Sequence, residues 1–276
     1  MRLSVELVPR DAESLAAQLD ELVCLGSVDT VNVPDLAQFA LRGWQAALQV
    51  RSAGRWAAVP HFRAAEVLAD EVAGWPVLTR LRSGGIDEVL VVSGDALPTG
   101  APSSPTGTPA PAPPSPVPAA PPGAGAPAPE AAGPSLAVDA IRSLRAAHPD
   151  LRVYAALDPY RSGFAAELAY AEAKLDAGAD GLFTQPFFDL RLLAVWQELT
   201  SGLEVFWGVT SVTSPRSQRY WLSRNRAVFP AGFEPTLAWH RDLAARVLEH
   251  VAGSGGHLYF MPIRVSVRDW LGDLLG

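Results

Sequence analysis

The stretch Asp176–Asp189, "DAGADGLFTQPFFD", decides how the rest of the chain is read. Asp176-Ala177-Gly178 reads as a helix end, because glycine takes the left-handed conformation that stops a helix. Gly181-Leu182-Phe183 is a short apolar run of the kind a strand shows when both its faces are covered. Thr184 and Gln185 then stand at the strand tip, ahead of two phenylalanines and Asp189, a residue suited to cap the next helix. A helix, a buried strand, a polar tip and another helix form the repeating unit of a parallel α/β fold.

Outward from this stretch the same unit recurs. Apolar runs predict strands at Leu3–Val8, Thr30–Val33, Ala57–Phe62, Glu88–Ser93, Arg152–Leu157, Gly181–Thr184, Val205–Val209 and His257–Pro262. Between them, amphipathic spacing predicts helices over Asp11–Leu25, Ala64–Leu81, Ser135–Ala147, Phe164–Ala177, Asp189–Leu203 and Pro235–Val251. Eight strands alternating with helices predict an α/β fold of the TIM-barrel type, (β/α)₈. No GxGxxG or phosphate-loop motif follows the first strand, which argues against an open doubly wound sheet.

Residues 97–134 are almost entirely Pro, Ala, Gly, Ser and Thr. Such a composition has too little apolar surface to offset its ordering entropy and predicts a disordered insertion. Strands are needed from both sides to complete the count, so the insertion is expected as a loop after strand four. The whole chain, 1–276, is then a single barrel domain.

With 49% hydrophobic residues in 276, the chain can build one substantial core. A net charge of −7 with no basic block makes nucleic acid an unsuitable partner. The lone Cys24 has no disulfide partner and is expected to be a small buried hydrophobe, and the five scattered histidines suggest no metal site. No apolar run approaches the roughly 18 residues a spanning helix needs. With no recognisable signal peptide, the expectation is a cytoplasmic protein without membrane contact; a homo-oligomer is compatible with the sequence.

In a barrel, chemistry gathers at the carboxyl ends of the strands. Here those ends carry Glu6, Asn32, His61, Ser93-Gly94-Asp95, Asp158, Thr184-Gln185, Thr210 and, beyond strand eight, Arg264. Glu6 is the sharpest signal: it interrupts the apolar "LSVELV", where a carboxylate must be paired or must have a function. A buried carboxyl has a raised pKa and can donate a proton near neutrality. The structural alternative is a Glu paired with an Arg or Lys.

These segments resemble the methylenetetrahydrofolate reductase family. "SVELVP" resembles its opening S-F-E-F-F-P, "VNVP" its V-x-V-T, Pro60-His61 its P-H and Ser93-Gly94-Asp95 its R-G-D. "DAGADGLFTQPFFD" matches D-A-G-A-x-x-x-I-T-Q-x-F-F-D, while "WGVTSVTS" and "HLYFMPIR" approximate the last two strands. The resemblance implies reduction of 5,10-methylenetetrahydrofolate by NAD(P)H through FAD. It assigns Glu6 as general acid, Asp95, Gln185 and Arg264 to the folate substrate, and His61, Ser93, Gly94, Asp95 and Lys174 to the flavin. Departures gather at the flavin, where Ser93 and Ala173 stand in place of arginines, and imply weakened FAD binding or direct hydride transfer from the nicotinamide. The alternative it leaves is a non-catalytic folate- or flavin-binding barrel acting as partner subunit of a one-carbon enzyme. No regulatory domain is expected after the barrel.

Overall fold

The computed structural model describes residues 1–36, 38–93 and 136–276. Eight parallel strands close into a barrel in chain order: β1 (Leu3–Glu6), β2 (Thr30–Val33), β3 (Ala57–Arg63), β4 (Glu88–Val92), β5 (Arg152–Leu157), β6 (Gly181–Pro186), β7 (Val205–Thr210) and β8 (His257–Met261). The expected TIM barrel is therefore the observed fold, and residues 94–135 fall between β4 and the helix that precedes β5. The reading of 97–134 as a disordered loop lies outside the described residues.

Ten helices are described: α1 (Ala12–Leu22), α2 (Gly43–Ser52), α3 (Ala64–Val72), α4 (Pro76–Ser83), α5 (Leu136–Ala147), α6 (Phe164–Asp176), α7 (Leu190–Leu199), α8 (Pro215–Arg224), α9 (Leu237–Ser254) and α10 (Val267–Leu275). Outward strand residues such as Val5, Val31, Val89, Val153 and Leu182 are buried beneath them in one continuous core. None of these helices is long and apolar enough to cross a membrane.

Three expectations are corrected. The single helix expected over Ala64–Leu81 is two, because Gly74 and Trp75 adopt left-handed backbone (φ 81 and 62) and Pro76 cannot continue the hydrogen-bond ladder. Asp70 accepts from Val77 N and Leu78 N, both at 3.0 Å, and so starts the second helix. Helices α2, α8 and α10 were not expected: α2 has no small polar cap in sequence, and Asp35 supplies one from eight residues upstream by accepting from Gly43 N at 2.7 Å. Cys24 is exposed rather than buried, since it lies just past the end of α1.

The opening stretch folds as its residues dictate. Helix α6 stops at Gly178, whose φ of 111 suits glycine, and the Arg145 side chain lies where a Cβ would sit and donates to the Gly178 carbonyl. Between Phe183 and Pro186 the β6–β7 register shifts. There the Thr184 hydroxyl accepts from Gly208 N at 2.8 Å, satisfying an amide that the shifted ladder leaves without a strand partner.

Inside the barrel the side chains stack in layers. At the amino ends of the strands Arg2 donates to Glu88 (2.7 Å), Tyr154 (3.1 Å) and Thr30 (3.0 Å), and Arg152 donates to Glu204 (2.5 Å). Above this plug lies an aromatic layer of Tyr154, Phe183, Phe206 and Tyr259, with the two phenylalanine rings stacked at 4.1 Å. These two layers close the lower barrel and leave the polar residues at the carboxyl ends as its open face.

Candidate active site

Glu6 ends β1, in register with Asn32 of β2. Its carboxyl accepts a hydrogen bond from the Tyr259 hydroxyl on β8, the strand that closes the barrel against β1. Some of the residue's surface remains accessible, yet the carboxyl lies deep enough that desolvation dominates and pushes its pKa up to about 7; the Tyr259 bond pulls the other way. No Arg, Lys or His forms an ion pair with it among the described residues, so the structural pairing that could explain a Glu here is absent. Burial and the adjacent Glu6 carboxyl hold the Tyr259 phenol well above its ordinary range.

Two more polar groups face the same space. His61 meets the Tyr259 ring edge-on at 6.4 Å; burial drives its pKa down to about 3, and its Nε2 has no hydrogen-bond partner among the described residues. Asn32 donates to Ser4 Oγ at 2.7 Å, and its buried Oδ1 has no hydrogen-bond partner among the described residues. A protonatable carboxyl, a phenol, a neutral imidazole and an open amide oxygen thus share one end of the barrel. Tyr259 escaped the sequence reading because "HLYFM" gives no sign of which side chains turn inward until the β8 register is known.

The other expected residues scatter. Gln185 is half-buried at the β6 register shift, and no hydrogen bond ties its amide among the described residues. Arg264 is exposed with a left-handed backbone, φ 59, and lines a cavity of about 540 Å³ that Glu6 also lines. Ser93 is exposed, its hydroxyl 3.3 Å from that of Tyr170. Gly94 and Asp95 lie outside the described residues. Thr210 donates to the Met261 carbonyl at 2.7 Å and Asp158 accepts from Tyr160 N at 2.9 Å, so both serve the fold.

Lys174 is turned inward: its ammonium donates to the Ala156 carbonyl and sits 3.9 Å from the Tyr170 ring centre, and burial lowers its pKa to about 8. Arg161, the nearby cation, is bound to the fully buried Glu167 through Nε (3.0 Å) and its terminal nitrogen (2.5 Å). A flavin diphosphate at this edge would have to displace these contacts. The described residues offer it no free cation there.

No family model matches the chain, and no curated protein matches it. Solved structures do. A 2,3-dimethylmalate lyase, described as a PEP mutase/isocitrate lyase superfamily member, aligns with a TM-score of 0.54 at 11% identity, covering 96% of this chain and 75% of that one. Oxaloacetate acetylhydrolase with the inhibitor 3,3-difluorooxalacetate gives 0.53 at 9%, covering 95% and 74%. The same enzyme with its product oxalate gives 0.52 at 11%, covering 95% and 75%. At these identities the likeness shows the barrel fold alone.

The comparison corrects the expected family. The barrels named above are a 2,3-dimethylmalate lyase, described as a PEP mutase/isocitrate lyase superfamily member, and an oxaloacetate acetylhydrolase; none of these is a methylenetetrahydrofolate reductase. The folate-reducing activity, its NAD(P)H and FAD chemistry, and the folate- or flavin-binding partner subunit are therefore set aside. The motif matches that suggested them have structural causes in part: Gly178 ends a helix and Thr184 satisfies a register shift.

Proposed function

We propose that this chain is an acid–base enzyme that breaks a bond in a small anionic substrate, in the manner of a lyase or hydrolase, with Glu6 as the proton donor. The observation that carries the reading is the Glu6 carboxyl, buried at the open end of the barrel with a phenol as its hydrogen-bond partner and a pKa of about 7. A carboxyl poised there is half protonated at neutrality, where a general acid is most effective. The solved barrels of similar fold, named as a lyase and a hydrolase, support the reaction class.

As the substrate bond breaks, Glu6 passes its proton to the atom that keeps the electron pair, and the resulting carboxylate is held by the Tyr259 hydroxyl. The electron-poor fragment either takes the hydroxide of a water molecule, whose other proton returns to Glu6, or becomes a carbonyl by releasing its own hydroxyl proton, which returns to Glu6 through water. His61, neutral through the physiological range, offers Nε2 as an acceptor or donor according to its tautomer, and Asn32 Oδ1 accepts from a substrate hydroxyl.

The test is a panel of 2-oxo and 2-hydroxy mono-, di- and tricarboxylates, short and long, followed by NMR for bond cleavage with wild type and Glu6→Gln. Turnover is expected to fall about 10²- to 10⁴-fold in the variant. The wild-type rate should lose activity as pH rises through about 7. Wild-type turnover in Glu6→Gln would remove Glu6 from the mechanism.

A further inference from the structure

We propose that the cavity beside Glu6 holds the remote end of the substrate, and that it takes an elongated monocarboxylate with an apolar middle, the carboxylate resting on Arg10 and Arg264. The inference rests on the reading of Glu6 as the reacting end of the same space. The cavity measures about 540 Å³. That lies within the roughly 300–1,000 Å³ of sites for drug-sized ligands and is far more than a compact acid the size of oxalate would fill. Leu7, Val8, Phe39 and Ile263 give it apolar walls.

Its charges are unevenly committed. Glu21, in the same wall, accepts from Ser266 Oγ (2.8 Å) and Val267 N (3.1 Å) and so is spent on the start of α10. Asp11, next to Arg10 in the chain, is spent on the α1 cap, accepting from Ser14 N at 2.8 Å. The guanidinium groups of Arg10 and Arg264 make no hydrogen bond or ion pair among the described residues, whereas Arg42, Arg63, Arg145 and Arg161 are each bound to a carboxylate. Two free cations against the committed Glu21 carboxylate, with Glu6 in its protonated, proton-donating form, leave a single positive charge for a ligand, which favours a monoanion over a dianion.

Two further observations concern the wall of this cavity. Gln18, in that wall, donates to the Val8 carbonyl at 3.4 Å, and its buried Oε1 has no hydrogen-bond partner among the described residues. Arg264 holds a left-handed backbone that a side-chain-bearing residue adopts at a cost, and such outliers gather where a ligand is clamped.

The experiment is a thermal-melt and calorimetric titration of the full chain with 4-phenylbutyrate, its neutral amide, and oxalate at constant ionic strength. 4-Phenylbutyrate is expected to bind and to raise the melting temperature, with the amide and oxalate each binding at least about ten-fold more weakly. Arg10→Gln and Arg264→Gln should each weaken 4-phenylbutyrate about ten-fold or more, as loss of a charge-assisted contact does. Arg264→Gly removes the same charge while suiting the backbone, so it should melt no lower than wild type and still lose binding. An amide that binds as well as its acid, oxalate that binds as well as 4-phenylbutyrate, or arginine variants that bind normally would each overturn the subsite. Those outcomes leave the titration of Glu6 untouched, so they are distinguishable from failure of the proton-donor role.

Discussion

The Tyr259 hydroxyl donates to the Glu6 carboxyl across the seam where β8 and β1 close the barrel. Of the influences that set the Glu6 pKa, burial raises it and this one bond lowers it. Tyr259→Phe therefore removes the opposing influence and should drive the Glu6 pKa above about 7. Infrared titration of the protonated carboxyl stretch in wild type and variant reads this directly. A pKa that falls on losing the phenol would mean that another donor controls Glu6.

The same carboxyl should make the protein less stable as pH rises. Its folded pKa, about 7, lies above the ordinary value of 4.5. Below 4.5 both folded and unfolded chains carry the proton and the group is neutral to stability. Between 4.5 and about 7 the unfolded chain releases it first, so stability declines, and the loss is complete above 7. The interval corresponds to roughly 3 kcal/mol. Glu6→Gln, which cannot ionise, should match wild type near pH 4 and exceed it by up to that amount near pH 8. Equal urea midpoints at pH 8 would show that the carboxyl is not desolvated.

His61 acts with the opposite sign. Its folded pKa of about 3 lies below the ordinary 6.5, so the unfolded chain takes up a proton first as pH falls through 6.5. Stability is lost from there down to about 3. His61→Gln should flatten the acid limb of the stability curve relative to wild type. An unchanged acid limb would place the imidazole in contact with water.

The strands were legible because a parallel sheet covered on both faces is built from predominantly apolar runs, and β2 and β5 have the bounds those runs predict. Helix α2 was not, since its cap is a tertiary contact from Asp35. Glu6 stood out as a carboxylate in an apolar strand, a local signal that needs no partner to be seen. Tyr259 did not, because a tyrosine in a strand is ordinary and only the closure of β8 on β1 brings its hydroxyl to Glu6. Lys174 is a different case. Its motif position suggested a flavin contact, and the three-dimensional path of α6 turns it onto the Ala156 carbonyl. Motif spacing does not encode which way a long side chain turns.

The sequence stretch that decides the fold also holds a testable strain point. Where β6 and β7 shift register, Gly208 packs so closely that a Cβ would stand 2.5 Å from the Thr184 carbonyl and 2.8 Å from Met261 Cε. The methionine end could move aside; the backbone carbonyl could not. Gly208→Ala should therefore destabilise by about 1–3 kcal/mol as overpacking does. Thr184→Val should cost a similar amount, about 1–3 kcal/mol, for a different reason: it leaves the buried Gly208 N–H without its acceptor. Thr184→Ser keeps the hydroxyl and should lie much closer to wild type. Urea unfolding with an unchanged slope separates these outcomes. If valine and serine at position 184 prove equally costly, the missing methyl or altered packing is responsible, and the hydroxyl is not what holds the register shift beside Gln185.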